Sequence, residues 1–354
     1  MRLATKYILW KFIKNFLIIL LSMELFFVGI DFLQTVKSLP NSANLQLLYI
    51  LYNGFFTLTI TLPLSIVFGW VLTLTSMIKE NSLVSFYALG LSKRDILIPV
   101  VVASVFITSI LIALQSTPLA YSYEEKTKIL KNKYFANTQN NIFLKYNEYF
   151  IYFNKLYPLQ KKATNIHIFK VKNTDIVETI VAKKALFQDN VWKIVDTKIT
   201  KKPTTMNWDN TKISVRFDKF RSTLKGFEPA IISNVYKGNA QYSVIDAIRT
   251  IVLLDTQEFN TNKIKAILYS QIVQPFFVLP MIILIFIFAG ASSRFFNSAI
   301  FISLSIFSTL AVWGSLFLLQ KLALGGVIIA EVAIILPIVT LFIISLLIYK
   351  KRVI

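Results

Sequence analysis

Tyr149-Phe150-Ile151-Tyr152-Phe153, Ile166-His167-Ile168-Phe169, Thr179-Ile180-Val181-Ala182 and Val191-Trp192-Lys193-Ile194-Val195 are short runs inside a polar, lysine-rich block over residues 123–262. Each is rich in aromatic and β-branched residues, which suit a pleated, half-buried surface. Asp189-Asn190 and Asn207-Trp208-Asp209-Asn210 interrupt the runs as turns do. From about Asn141 to Asn234 this spacing predicts an antiparallel β-domain of sandwich or jelly-roll type. Residues 123–140 read as a helical continuation of the segment before them. Residues 243–262 also read as helical, with Ser243 as N-cap ahead of Asp246.

Outward from the block the texture changes. Three strongly apolar segments precede it and three follow, each with about 20 apolar residues, enough to cross a bilayer. They cover about 12–35, 47–78, 96–119, 264–290, 297–319 and 327–349. The second is punctuated by Pro63 and Gly69, which predicts a tilt or kink. The first is longer than the apolar core of a signal peptide and has no small-residue cleavage site after it, so it reads as a span. The expected fold is an α-helical membrane protein with six transmembrane helices and an inserted β-jelly-roll domain. Its parts are residues 1–122, 123–262 and 263–354.

Composition agrees. The 354 residues are 55% hydrophobic, and only 16% are charged, yet the formal net charge is +20. Mean hydropathy is +0.61. Such a positive balance favours anionic partners, lipid headgroups before nucleic acid in a chain that spans a membrane. With no cysteine, disulfides, thiolate catalysis and cysteine metal sites are excluded. The lone histidine, His167, lies in a strand pattern and reads as structural. Trp192 and Trp208 read as packing residues.

Basic residues near the span ends predict orientation. Arg2, Lys6, Lys11 and Lys14 precede the first span, Lys79, Lys93 and Arg94 follow the second, Arg294 follows the fourth, and Lys350, Lys351 and Arg352 end the chain. The opposite loops offer only Lys37 and Lys321. The positive-inside rule puts both termini and the 79–95 loop in the cytoplasm and the inserted domain outside.

No Walker A loop, G-x-S-x-G elbow, H-E-x-x-H or Rossmann glycine cluster occurs. Uphill transport would therefore draw energy from another subunit or an ion gradient. Glu24 and Asp31 lie seven residues apart in the first span and share a face. With Glu331 in the sixth, they mark either a polar pathway or hydrogen bonding within the bundle. Ser305, Ser308, Thr309 and Ser315 in the fifth read as close-packing positions. The loop Lys79-Glu80-Asn81-Ser82-Leu83-Val84-Ser85-Phe86-Tyr87-Ala88-Leu89-Gly90-Leu91-Ser92-Lys93-Arg94-Asp95 reads as a short amphipathic helix closed by Gly90. A second helix follows, capped by Ser92. The first helix either lies on lipid or docks in a groove of a cytosolic partner.

The whole arrangement resembles the LptF/LptG (YjgP/YjgQ) permeases of the lipopolysaccharide export ABC transporter. It has the six spans, the β-domain between spans three and four, the segment ending Ala88-Leu89-Gly90-Leu91-Ser92, and the first strand Tyr149-Phe150-Ile151-Tyr152. Gly29-Ile30-Asp31-Phe32-Leu33 and Tyr269-Ser270-Gln271-Ile272-Val273-Gln274-Pro275 look closer to the G member. The resemblance implies a bacterial inner-membrane permease without an ATPase site or cofactor of its own. Its partners would be a sister permease, a cytosolic ATPase dimer that uses the ATP, a periplasmic bridge protein and lipopolysaccharide. It also implies ATPase coupling through Glu80, Leu83, Phe86, Leu89 and Gly90, and lipid phosphate contacts at Asp31, Lys37, Lys126 and Lys128. Three departures from the family pattern stand out. Ser82 replaces an acid, with Glu80 two residues earlier. The basic cluster after span one is reduced to Lys37. Glu125 stands where a basic residue is expected, with Lys126 beside it. The alternatives are an ion-driven carrier using Glu24, Asp31 and Glu331, and a membrane-anchored periplasmic scaffold.

Overall fold

The computed structural model describes residues 3–132, 139–146, 148–157, 160–172, 175–202, 213–224, 229, 241–255, 261–290 and 296–353. Arg2, Arg294, Trp208 and the expected turn at 207–210 lie outside them. The chain forms two compact units. One is helical, with residues 1–132, 242–251 and 260–354; the other holds 133–241 and 252–259.

In the helical unit, α1 (Leu3–Thr35), α2 (Ala43–Lys79) and α4 (Lys93–Gln115) precede the β-unit, with the short α3 (Ser82–Ala88) between α2 and α4. After α4, α5 (Ser122–Leu130) starts toward the β-domain, and α6 (Val244–Asp255) returns from it. Helix was expected as far as residue 140. It ends at Leu130, where Asn132 turns left-handed at φ 53°, and strand begins at Gln139. Then come α7 (Asn262–Ile272), α8 (Val278–Phe288), α9 (Ser298–Leu324) and α10 (Leu336–Val353). Five helices are long and apolar enough to cross a membrane, and six if α7 and α8 are one bent span. That bend is 45°. It falls at Pro275, whose missing N–H cannot continue the helical ladder, and a 3-10 turn over Gln274–Phe277 bridges the gap. The last span opens with a π-turn over Glu331–Ile335. Asn262 stitches the two irregular spans: its side chain donates to Ile328 O at 3.1 Å and accepts from Ala330 N at 2.7 Å.

α1 and α2 run antiparallel at close range. A Cβ on Gly69 would stand 2.7 Å from Phe16 Cα, so only glycine lets the helices touch there. Around the crossing, Phe12 meets Trp70 edge-on at 6.3 Å, and Trp70 stacks near Phe286 at 6.0 Å. Trp70 is fully buried, and its indole N–H donates to Ile282 O at 3.2 Å, so the large ring costs no unpaired donor.

The second unit contains the expected β-domain. Its strands are β1 (Gln139–Tyr146), β2 (Tyr149–Tyr157), β3 (Lys162–Lys172), β4 (Asp175–Gln188), β5 (Val191–Lys201) and β6 (Ser214–Thr223). They form one antiparallel sheet in chain order. Where a jelly roll closes through long crossovers, these described strands pair as consecutive neighbours. A crease lets the sheet make its own core. Asn141, Asn154, Asn165, Lys183, Asp196 and Lys219 drop out of the pairing register in line across all six strands. Each dropout inserts a residue, bends the strand and switches which residues face inward. Buried residues therefore step by three at the crease: Phe153 to Leu156, Ala163 to Ile166, Ala182 to Ala185, Ile194 to Thr197. Asn141, Asn165 and Asp196 have left-handed φ of 57°, 49° and 55°, a conformation asparagine and aspartate tolerate. Folded along this line, the sheet brings Phe153 of β2 within 5.4 Å of the Trp192 ring on β5, three strands away. His167 packs edge-on against Tyr152 on the neighbouring strand, as a structural residue.

Candidate functional site

Two polar constellations in the helical unit hold the residues singled out by sequence. The first lies where α1 ends. Asp31, in the last turn of α1, accepts from Tyr49 OH at 2.6 Å and from Lys126 Nζ at 3.3 Å. Lys126 comes from α5 and also donates to Asn53 Oδ1 at 2.7 Å. Its ammonium sits over three aromatic faces: Phe56 at 4.9 Å, Tyr123 at 5.6 Å and Tyr49 at 5.9 Å. A buried cation needs such company, because ring faces and a carboxylate replace the water it loses. Thr35 completes the network with a bond to Tyr49 OH at 3.2 Å.

This placement revises the expected lipid contacts. Lys126 is 8% exposed and spends its charge on Asp31, Asn53 and the ring cage. Lys128 donates to Glu125 at 2.6 Å and lies 3.3 Å from Glu124, both on its own helix. Burial pulls the Lys128 ammonium pKa down, but those two carboxylates outweigh it and hold it above the ordinary lysine value. Lys37, in a 3-10 turn over Val36–Ser38, is exposed and makes no ion pair among the described residues. Of the four residues, it is the one placed to meet an outside phosphate without first breaking an internal contact. Asn53, Tyr49, Phe56 and Tyr123 went unnoticed in the sequence. A buried asparagine within an apolar span was the available signal.

The second constellation is the elbow between α2 and α4. Asn81 turns the chain left-handed at φ 57° and starts α3. At the other end, Leu91 N donates to Phe86 O and Gly90 N to Tyr87 O, both at 3.0 Å, closing a Schellman turn on Gly90 at φ +80°. The predicted caps are present. Ser92 and Asp95 form a reciprocal capping box, and Ser243 Oγ accepts from Asp246 N at 3.1 Å.

The predicted docking residues divide into two groups. Leu83 is 2% exposed and anchors α3 in the helical core, so it offers no surface to a partner. Phe86 is half-buried, with its ring edge-on to Tyr7 at 5.9 Å. Glu80 is bound inward by Lys11 at 2.5 Å, Ser76 at 2.7 Å and Tyr7 at 3.2 Å. The hydrogen bond from Lys11 foremost, with that from Ser76, holds its carboxyl below the usual range. Leu89 at 78% and Val84 at 41% exposure, with Gly90, form the outward face. Val84 was missing from the predicted set; its place beside Leu83 in the helix was the signal.

The acidic residues within the spans have local partners. Glu24 accepts from Thr57 at 2.7 Å and from Thr61 of α2. Glu331 accepts from Tyr269 OH at 3.2 Å and lies 3.7 Å from Lys265 Nζ.

No curated protein matches the chain. A family model does, described as lipopolysaccharide export system permease LptF/LptG, and the match runs over residues 6–351. That span takes in both constellations, the β-domain and every candidate transmembrane helix, so the chain belongs to the LptF/LptG permease family.

Proposed function

We propose that this protein is the G-type half of an ABC exporter that lifts lipopolysaccharide from the inner membrane and passes it to a periplasmic bridge. The coarse part follows from family membership: the chain is a lipopolysaccharide export permease, a multi-pass inner-membrane protein. The finer reading gives α3 to a cytosolic ATPase dimer, the exposed apolar sides of α1 and α9 to lipid and a sister permease, and the β-domain to the bridge. The match over residues 6–351 carries it. Exposed Leu17, Leu21 and Leu25 on α1, and Ile300, Leu304 and Phe307 on α9, support the second assignment. Such faces are at home only against lipid or another apolar helix. In this reading both termini and α3 are cytoplasmic, as the basic residues at the span ends favour. ATP is bound and hydrolysed by the partner. An ion-driven carrier gains nothing from Glu24, whose carboxylate is taken up by two threonines of α2.

Affinity purification of the tagged protein from its own membranes tests the proposal. A Walker-type ATPase and a second permease must come with it. Leu89→Asp, at an exposed position, must release the ATPase without lowering the amount of inserted protein. Purification of the wild-type chain alone would overturn the exporter reading.

A further inference from the structure

Tyr7 and Lys11 lie one turn apart on α1, on one face. Together they reach every part of the elbow. Lys11 Nζ donates to Glu80 Oε2 at 2.5 Å and to Tyr7 OH at 3.1 Å. Tyr7 OH donates to the same Glu80 oxygen at 3.2 Å, and its ring meets Phe86 of α3 edge-on. The other carboxylate oxygen accepts from Ser76 of α2. Glu80 is the residue at which α2 ends, and only Asn81 separates it from α3. One carboxylate therefore ties the beginning of α1, the end of α2 and the root of α3. The Lys11 side chain is only 17% exposed. That shields the pair from the screening that makes most surface ion pairs weak.

We infer that Lys11, Tyr7 and Glu80 form a strut that makes α3 and α1 shift as one body, so that force applied to α3 reaches the membrane span. The inference rests on the reading of α3 as the ATPase-docking helix. It gives Glu80 a positioning role, turned inward, where the family pattern had made it a contact for the partner. A strut of this kind transmits because its ends are fixed. Leu83 anchors α3 in the core, and Gly69 lets α1 lie directly on α2.

The test uses the complete exporter, reconstituted in liposomes with its sister subunit and ATPase, and compares Lys11→Met, Glu80→Gln and the exchanged pair Lys11→Glu with Glu80→Lys. Each single variant must keep the ATPase bound and hydrolysing ATP. Lipopolysaccharide released per ATP must fall about fivefold or more, the lower range of couplings between sites. The exchanged pair must recover at least half of that loss. Unchanged release per ATP in the single variants, or no recovery in the exchange, would overturn the strut. So would loss of ATPase binding in Glu80→Gln, which would make Glu80 a partner contact. The permease without ATPase supplies a separate readout: amide hydrogen exchange over residues 82–88 must quicken in Glu80→Gln and return toward the wild-type rate in the exchanged pair. If the wild-type chain binds no ATPase but this exchange result holds, the docking reading fails and the tie stands. If exchange is unchanged, the tie itself fails.

Discussion

Exchanging Asp31 for Asn tests whether Lys126 serves the fold or the lipid. The substitution keeps the shape and removes the charge that faces the ammonium at 3.3 Å. A hydrogen bond to a charged group is worth about 1.5–3 kcal/mol, and breaking a fully buried ion pair costs about 3–5 kcal/mol. The Asp31 side chain is 32% exposed against 11% for Lys126. Water therefore reaches one partner, and the loss belongs at the lower end, about 2 kcal/mol. Lys126→Met keeps the aliphatic stem among Phe56, Tyr123 and Tyr49. It leaves a half-buried carboxylate still bonded to Tyr49, at about 1 kcal/mol. If the two residues act mainly on each other, the double variant loses little more than the worse single, a coupling of about 1 kcal/mol. The unfolding midpoints of the four proteins in a mixed-micelle SDS titration, followed by tryptophan fluorescence, provide the cycle. Photocrosslinking to lipopolysaccharide provides the second measurement, and Lys126→Met must retain it. Additive losses would refute the internal pair. A Lys126→Met protein of normal stability that no longer crosslinks would restore Lys126 as a headgroup contact.

Two further outcomes follow from the helical unit. Gly69→Ala drives a methyl group to 2.7 Å from the Phe16 backbone, which cannot turn aside as a side chain would, so it must destabilise by about 1–3 kcal/mol in the same titration. Tyr121, whose hydroxyl donates to Asp246 at 2.6 Å, has its pKa pushed up to about 12, first by burial and then by that carboxylate. Its folded value exceeds the unfolded 10.0, so its contribution is whole below pH 10 and lost as pH rises through about 12. Tyr121→Phe must flatten that alkaline decline in a pH-resolved unfolding series.

The sequence was most legible where periodicity alone carries the information. Alternation over Tyr149–Phe153 and Ile166–Phe169 announces strands, and runs of apolar residues announce spans, because both follow from which residues must leave water. The crease was missed because a step of three looks like broken alternation. Its mark was present all the same, since Asn141, Asn154, Asn165 and Asp196 are poor strand formers set in the middle of strands. The break at Pro275 was passed over because the apolar run continues through it. The basic contacts misled for a different reason. Counting lysines adds charge without subtracting partners, and nothing in the order of residues says that Asp31 and Lys126, 95 positions apart, would meet. The docking face was half right: amphipathicity named the helix, but Leu83 and Phe86 are its inner side.

α1 shows why such partners matter. Its polar ties to the rest of the bundle follow one antiparallel register with α2: Asn15 to Thr73, Glu24 to Thr57 and Thr61, Asp31 to Tyr49. The ionic ties are the outermost, Lys11 to Glu80 and Asp31 to Lys126. Lys11 and Asp31 are twenty residues apart, about 30 Å along a helix, which is about the thickness of the hydrocarbon layer. Charge is thus spent at the two membrane surfaces, where it is affordable, and hydroxyl–carboxylate and amide–hydroxyl bonds hold the interior. A helix fastened in this way resists sliding against α2 yet keeps an apolar side free along its length. A permease that must open sideways to a lipid needs that combination, because the gate-lining face can part from a partner while the paired helices behind it stay in register.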